Sequence, residues 1–190
     1  SKANKLLDEI GLTKRNKHGI RLRRGGEPLE IIVETAGEST EESDVLELIR
    51  DSWLKAGIRL HTKPSQRDVL RNRVFSGATL MTVWSGLENG VPTAEMPPTE
   101  LAPTSQLQLQ WPKWGQYVET NRQSGEFPDM PEAVRLVELL DEWYATLDDS
   151  RREAIWHEML RTHAENLFTI GIVAGVRQPI VVNLKLRNVP

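Results

Sequence analysis

Along residues 1–84 the apolar positions switch between helical and strand spacing. Leu6, Leu7 and Ile10 form a short stripe on a helix that Gly11 ends. Leu29, Ile31, Ile32 and Val33 make a nearly continuous β-branched run, the mark of a buried strand. Ser39 and Glu42 then stand at capping-box spacing, Val45, Leu48, Ile49 and Trp53 share a helix face, and Gly57 stops that helix. IRLHT at 58–62 alternates as a second strand, which completes a βαβ unit with a right-handed crossover and parallel strands. The rhythm repeats: Ser65 and Asp68 cap a helix that buries Val69, Leu70 and Val74 and ends at Gly77, and ATLMTVW at 78–84 reads as a third strand.

Between the first helix and the first strand lie Lys14, Arg15, Lys17, Arg21, Arg23 and Arg24, broken by His18-Gly19 and Gly25-Gly26. An anion-binding patch is one reading of this stretch. Because the charges are spread along both arms of two turn signals, a solvated edge hairpin is preferred. From 85 to 130 periodicity vanishes and Pro, Gly, Gln, Glu and Trp dominate, and so long an irregular excursion within a compact domain is usually functional or disordered. Two helices follow. Pro131 opens the first, over 131–147, with Val134, Val137 and Leu140 inward, and Ser150 with Glu153 caps the second, over 151–166. LFTIGIV at 167–173 and PIVVNL at 179–184 are expected as two closing strands, giving an α/β fold with a mixed sheet flanked by helices.

With 190 residues of which 38% are hydrophobic, the chain can build one real core, and residues 1–190 suit one domain or a lobe of a larger protein. A net charge of −3 offers no general attraction to nucleic acid, which is not an expected partner. The absence of cysteine excludes thiolate catalysis, disulfides and cysteine zinc sites, and suits an oxidising compartment. The longest apolar stretch, 167–176, is about half the roughly 18 residues of a membrane span. The chain opens directly on an amphipathic helix and stops just after a strand-like run, as expected of a segment cut from a longer protein.

HEMLR at 157–161 falls one residue short of a zinc-protease motif, since Arg161 occupies the second ligand position and His163 lies on the wrong face to replace it. No metal or cofactor is expected. Glu88, Glu95, Glu100, Glu119 and Glu126 all lie in the excursion, where a carboxylate pair could act on a glycosidic bond, but no second element positions them. Acyl-transfer, P-loop and dinucleotide fingerprints are missing. The tryptophans divide. Trp53, Trp143 and Trp156 stand in helices where core is the expected role, whereas Trp84 ends a strand, where α/β proteins place ligand sites, and Trp111 and Trp114 sit in WPKWGQY, which Pro112 and Gly115 mark as loop. An indole covers the apolar face of a sugar ring or a peptide side chain while its N–H makes one polar contact. The competing role for the loop pair is inward packing that pins the loop.

The order AxKLLDEIGL, LEIIVE, a helix ending KAGI, a strand ending VWSG, WPKWGQY, AENLFTIGIV and LRNVP resembles the family 5 extracellular solute-binding proteins of ABC importers, which take dipeptides, oligopeptides, nickel and oligosaccharides. The resemblance covers the whole chain. It implies the second lobe of a periplasmic-binding-protein type II-like receptor, a periplasmic or extracellular and possibly lipid-anchored location, closure of two lobes over a solute, and delivery by a monomer to a membrane permease. Peptide-binding members carry an acidic residue after the strand-end tryptophan and glycine. Here the text is WSGLENGVPT, so Leu87 takes that place, and the ammonium anchor is absent unless Glu88 substitutes. A buried ammonium without a carboxylate costs on the order of several kcal/mol.

The function expected is therefore a non-enzymatic receptor for an oligosaccharide or similar extended solute, with an oligopeptide receptor and a carboxylate-based glycoside hydrolase as alternatives. Trp84, Trp111 and Trp114 would stack on the solute, with Glu88, Asn89 and either Gln116 or Tyr117 reading its polar groups and Ser85 and Gly86 completing the strand-end motif.

Overall fold

A computed structural model describes residues 1–84 and 97–171. The order of elements is α1 (Lys2–Glu9), β1 (Glu30–Thr35), α2 (Thr40–Ala56), β2 (Arg59–Pro64), α3 (Arg67–Phe75), β3 (Met81–Thr82), a 3-10 turn (Thr99–Leu101), α4 (Pro112–Glu119), α5 (Pro131–Ala145) and α6 (Asp149–Asn166). The expected α/β class holds. The three strands pair in the order β2-β1-β3, all parallel, with Glu30 opposite Arg59 and Val33 opposite both Thr62 and Met81. Among the described residues no helix is long and apolar enough to cross a membrane.

The βαβ unit forms for the reasons its sequence offers. Ser39 Oγ accepts the Glu42 N–H at 3.2 Å, and Gly57 ends α2 with φ 87°, a conformation that favours glycine. Leu46 of α2, with Ile49 and Trp53, closes over Val33 and Leu60 to make the first apolar cluster. The inward face is turned from the expected one: Leu46 is buried, whereas Leu48 is 69% exposed. α3 lacks the expected Ser65 cap, since Gln66 takes the cap position without a side-chain bond, and Val69 faces out while Leu70 and Val74 are buried. β3 is shorter than the apolar run suggests, because Leu80 projects into solvent at 81% exposure and only Met81 and Thr82 pair with β1.

The basic stretch departs from a wholly solvated hairpin. Two isolated antiparallel bridges, Arg15 with Arg21 and Leu22 with Pro28, fold it back on itself, yet Ile20 and Arg21 are buried. Arg21 donates to Ala56 O at 2.8 Å, Asp8 Oδ1 at 2.5 Å, Asn4 Oδ1 at 2.9 Å and Leu12 O, while Arg15 donates to Asn4 Oδ1 at 2.9 Å and Ala56 O at 3.2 Å. These two guanidinium groups tie α1, which buries none of its own residues, to the C-terminus of α2. A cation is favoured at that end of a helix.

Over residues 97–130 the excursion is folded. α5 and α6 lie side by side and enclose a second cluster of Leu136, Leu139, Leu140, Trp143, Ile155 and Met159, into which the excursion sends Leu101, Ala102 and Trp111. Among the described residues these helices therefore build a core with the excursion and not with the sheet. The buried stripe of α5 runs through Ala133 and Leu136 rather than Val134 and Val137, and Asp148, not Ser150, caps α6 by accepting from Ser150 N and Arg151 N. Arg135 seals the outer seam through Glu142 at 2.9 Å and Glu158 at 3.0 Å. The strand expected at 167–173 is irregular over 167–171, because Leu167 turns left-handed (φ 51°) to end α6 and Phe168 folds back onto the second cluster. The strand expected at 179–184 lies outside the described residues, so the sheet described is parallel, not mixed.

Candidate functional site

The C-terminal edge of the parallel sheet is where chain direction and chemistry coincide. β1 runs into Ala36-Gly37-Glu38, β2 into Ser65-Gln66-Arg67, and β3 into Val83-Trp84; α2 carries the chain from β1 to β2 on one side, and α3 carries it from β2 back across β1 to β3 on the other, so the strand order reverses at β1. Open α/β sheets hold ligands in the crevice made by such a reversal. The first two exits approach closely. Ser65 N donates to Thr35 O at 3.0 Å, and a Cβ on Gly37 would stand 3.2 Å from Pro64 Cβ at a φ of +67°, so only glycine fits without strain. Between them opens a shallow depression of about 480 Å³ walled by Gly37, Glu38, Gln66 and Arg67.

At its rim Arg67 lies over the Trp84 indole, 5.7 Å from the ring centroid, and is itself clamped by Glu38, whose Oε1 and Oε2 accept from Arg67 Nε at 3.0 and 3.1 Å. The Glu38 hydrogen bonds push the Arg67 pKa further up, so the guanidinium is permanently charged. Trp84 keeps 41% of its surface open. Below the rim, buried Glu34 accepts from Arg73 Nε at 2.6 Å and Nη2 at 2.8 Å, with Lys63 Nζ at 3.8 Å. Hydrogen bonds from Arg73, and then the Arg73 and Lys63 charges, hold its carboxyl below the ordinary carboxylate value despite burial. A paired charge is what allows a carboxylate there, and the pair braces β1 against α3.

Trp111 is placed elsewhere. It is 3% exposed, its Nε1 donates to Gln108 Oε1 at 2.9 Å, and its ring meets His163 and Phe168 edge-on at centroid distances of 5.5 and 5.2 Å. His163 Nε2 in turn donates to Leu101 O at 2.8 Å, and burial lowers the His163 pKa. Trp111 thus takes the inward, loop-pinning role, which corrects its expected place in a stacking platform: both ring faces are inside the second cluster. Trp114 is half-buried against the same cluster, and no ring contact joins Trp84 to Trp111 or Trp114 among the described residues.

WPKWGQY is helical, not loop. Pro112 pre-sets the first turn of α4, and Gly115 sits so close to Ser105 that an added Cβ would lie 2.1 Å from its carbonyl oxygen. Gln116 and Tyr117 are partly exposed on α4, with Tyr117 packed edge-on against Phe127 at 5.6 Å. Ser85, Gly86, Leu87, Glu88, Asn89 and Glu95 lie outside the described residues. Glu119 is exposed at the end of α4, and His157 is exposed on α6. Glu38 and Arg67 are the edge residues that sequence reasoning missed. The signal was present, since each follows a parallel strand directly.

No protein-family model matches the chain, and the comparison with curated proteins finds no match. Solved structures do match. The oligopeptide-binding protein OppA superposes with a TM-score of 0.72 at 24% identity over 88% of this chain and 28% of its own. The periplasmic binding protein MelB from Agrobacterium fabrum, in complex with stachyose, gives 0.70 at 17% over 90% and 25%. The oligopeptide-binding protein AppA from Bacillus subtilis, in complex with a nonapeptide, gives 0.62 at 16% over 88% and 30%. The chain therefore spans between 25% and 30% of the length of these three proteins. It has the α/β fold of a segment shared by periplasmic oligopeptide- and oligosaccharide-binding proteins.

Proposed function

We propose that this chain is the closing lobe of a two-lobed receptor that captures an extended solute outside the cytoplasm and hands it to the permease of an ABC importer. The observation that carries the reading is an indole, Trp84, left open at the C-terminal edge of a parallel sheet in a fold shared with solute receptors. Half a cleft is what such a lobe supplies. One solute face would lie on Trp84, Ser85, Gly86, Glu88 and Asn89 would meet its polar groups, Trp114 and Tyr117 would flank it, and the other lobe would close the remaining side. Binding with hinge closure requires no catalytic group, so the role is non-enzymatic.

An oligosaccharide is the solute class favoured, because Leu87 stands where a peptide receptor carries its ammonium-binding carboxylate and because a protein of this fold holds stachyose. An oligopeptide held through its backbone is the second reading, supported by the likeness to OppA and AppA. A thermal-shift series on the intact protein with stachyose and with di- to pentapeptides tests both. A solute at about 100 times its dissociation constant adds roughly 2.7 kcal/mol of stability. Stabilisation by the sugar supports the first reading and by peptides alone the second, while shortening of the sugar or no shift with either class overturns the receptor.

A further inference from the structure

The C-terminal ends of all three strands are joined by one line of charge and ring: Glu38 after β1, Arg67 after β2 and Trp84 after β3. A guanidinium over an indole is drawn to the negative face of the ring quadrupole. Here that attraction is already engaged by the protein's own cation, and the cation is held by a two-oxygen clamp on Glu38. Two consequences follow for anything that approaches the ring. The indole is held in place in advance, so stacking a rigid neutral face on it needs little further ordering. A second cation, by contrast, meets a ring whose potential is offset by Arg67, and it meets the like charge of Arg67 itself.

Resting on the receptor reading above, we propose that Arg67, positioned by Glu38, sets the charge selectivity of the Trp84 surface, admitting an uncharged face of an extended solute and disfavouring an ammonium group. Arg67 acts through Trp84 and is a positioning residue.

The test is isothermal titration of the intact two-lobed protein with three probes: stachyose, tetraalanine, and N-acetyl-tetraalanine. In the wild type the acetylated peptide binds more tightly than the free amine, or stachyose binds and the free amine does not. Arg67→Gln weakens the uncharged probes by about two- to fivefold, the size of an exposed cation–π contact, and narrows or reverses the penalty on the free amine. Glu38→Gln leaves the Arg67 charge unbalanced and widens that penalty. Opposite movements of the ratio are what a structural role could not produce, since lost order would weaken every probe together. Both substitutions lie on exposed side chains, so folding is preserved. Parallel changes in all probes, or an unchanged ratio in both variants, overturn the inference while leaving the receptor intact. A wild type that binds none of the three overturns the receptor reading and the inference with it.

Discussion

Replacing Trp111 by Ala separates a packing tryptophan from a binding one. A buried indole removes about 150 to 250 Å² from water. At roughly 25 cal/mol per Å² this is about 4 to 6 kcal/mol, an upper bound because an unfolded chain already hides part of that area. Large-to-small core changes at aromatic positions cost about 3 to 5 kcal/mol, so the two routes agree near 4. The hydrogen bond adds little beyond this, since Gln108 Oε1 still accepts from Thr104 N at 2.8 Å and Ser105 N at 3.2 Å once the indole is gone. Trp111→Phe keeps most of the ring and is expected to lose about 1 to 2 kcal/mol. Trp84→Ala, at a ring 41% exposed, should stay within about 1 kcal/mol. The assay is urea unfolding of the chain followed by far-ultraviolet circular dichroism, with all three variants at one pH. A loss below about 1 kcal/mol for Trp111→Ala, or a larger loss for Trp84→Ala, refutes the assignment of Trp111 to the core.

Arg21→Met should cost about 2 to 4 kcal/mol, because it strips donors from the Leu12 and Ala56 carbonyls and from Asn4, and hydrogen exchange of residues 2–9 should accelerate to the rate of a free peptide. Gly115→Ala should lose about 1 to 3 kcal/mol, read by the same urea titration, since its methyl group would displace the Ser105 backbone. Stability should fall as pH drops below the ordinary histidine value of 6.5. His163 is held neutral in the fold and binds a proton more readily when unfolded, so the unfolded chain takes up more protons there. A melting-temperature series from pH 8 to 5 should show this drop, and His163→Gln, which keeps a donor for Leu101 O, should flatten it.

The first βαβ unit was legible because local and tertiary preferences agree in it: the Ser39 cap, the Gly57 stop and a β-branched strand specify the same elements. Apolar faces were read less well, since a helix face rotates by about 100° per residue and the choice between Leu46 and Leu48 depends on which partner arrives. WPKWGQY read as loop because proline and glycine break helices in general, yet here the proline occupies the first turn and the glycine is demanded by a neighbouring backbone. Contacts between segments far apart, such as His163 with Leu101 or Arg21 with Ala56, leave no spacing to recognise. Trp84, expected as the last residue of a strand, stands two residues past the end of β3, and the ring partner that qualifies its chemistry comes from the exit of another strand.

The two apolar clusters are also consecutive in the chain. Residues 31–83 supply the first and residues 101–168 the second, with no member shared. During synthesis the amino-terminal cluster has all its members once residue 83 has cleared the ribosome, before the first member of the other has emerged. Ordering along the chain is therefore vectorial: among the described residues, the half that carries Glu38, Arg67 and Trp84 emerges first, and the helical half follows it.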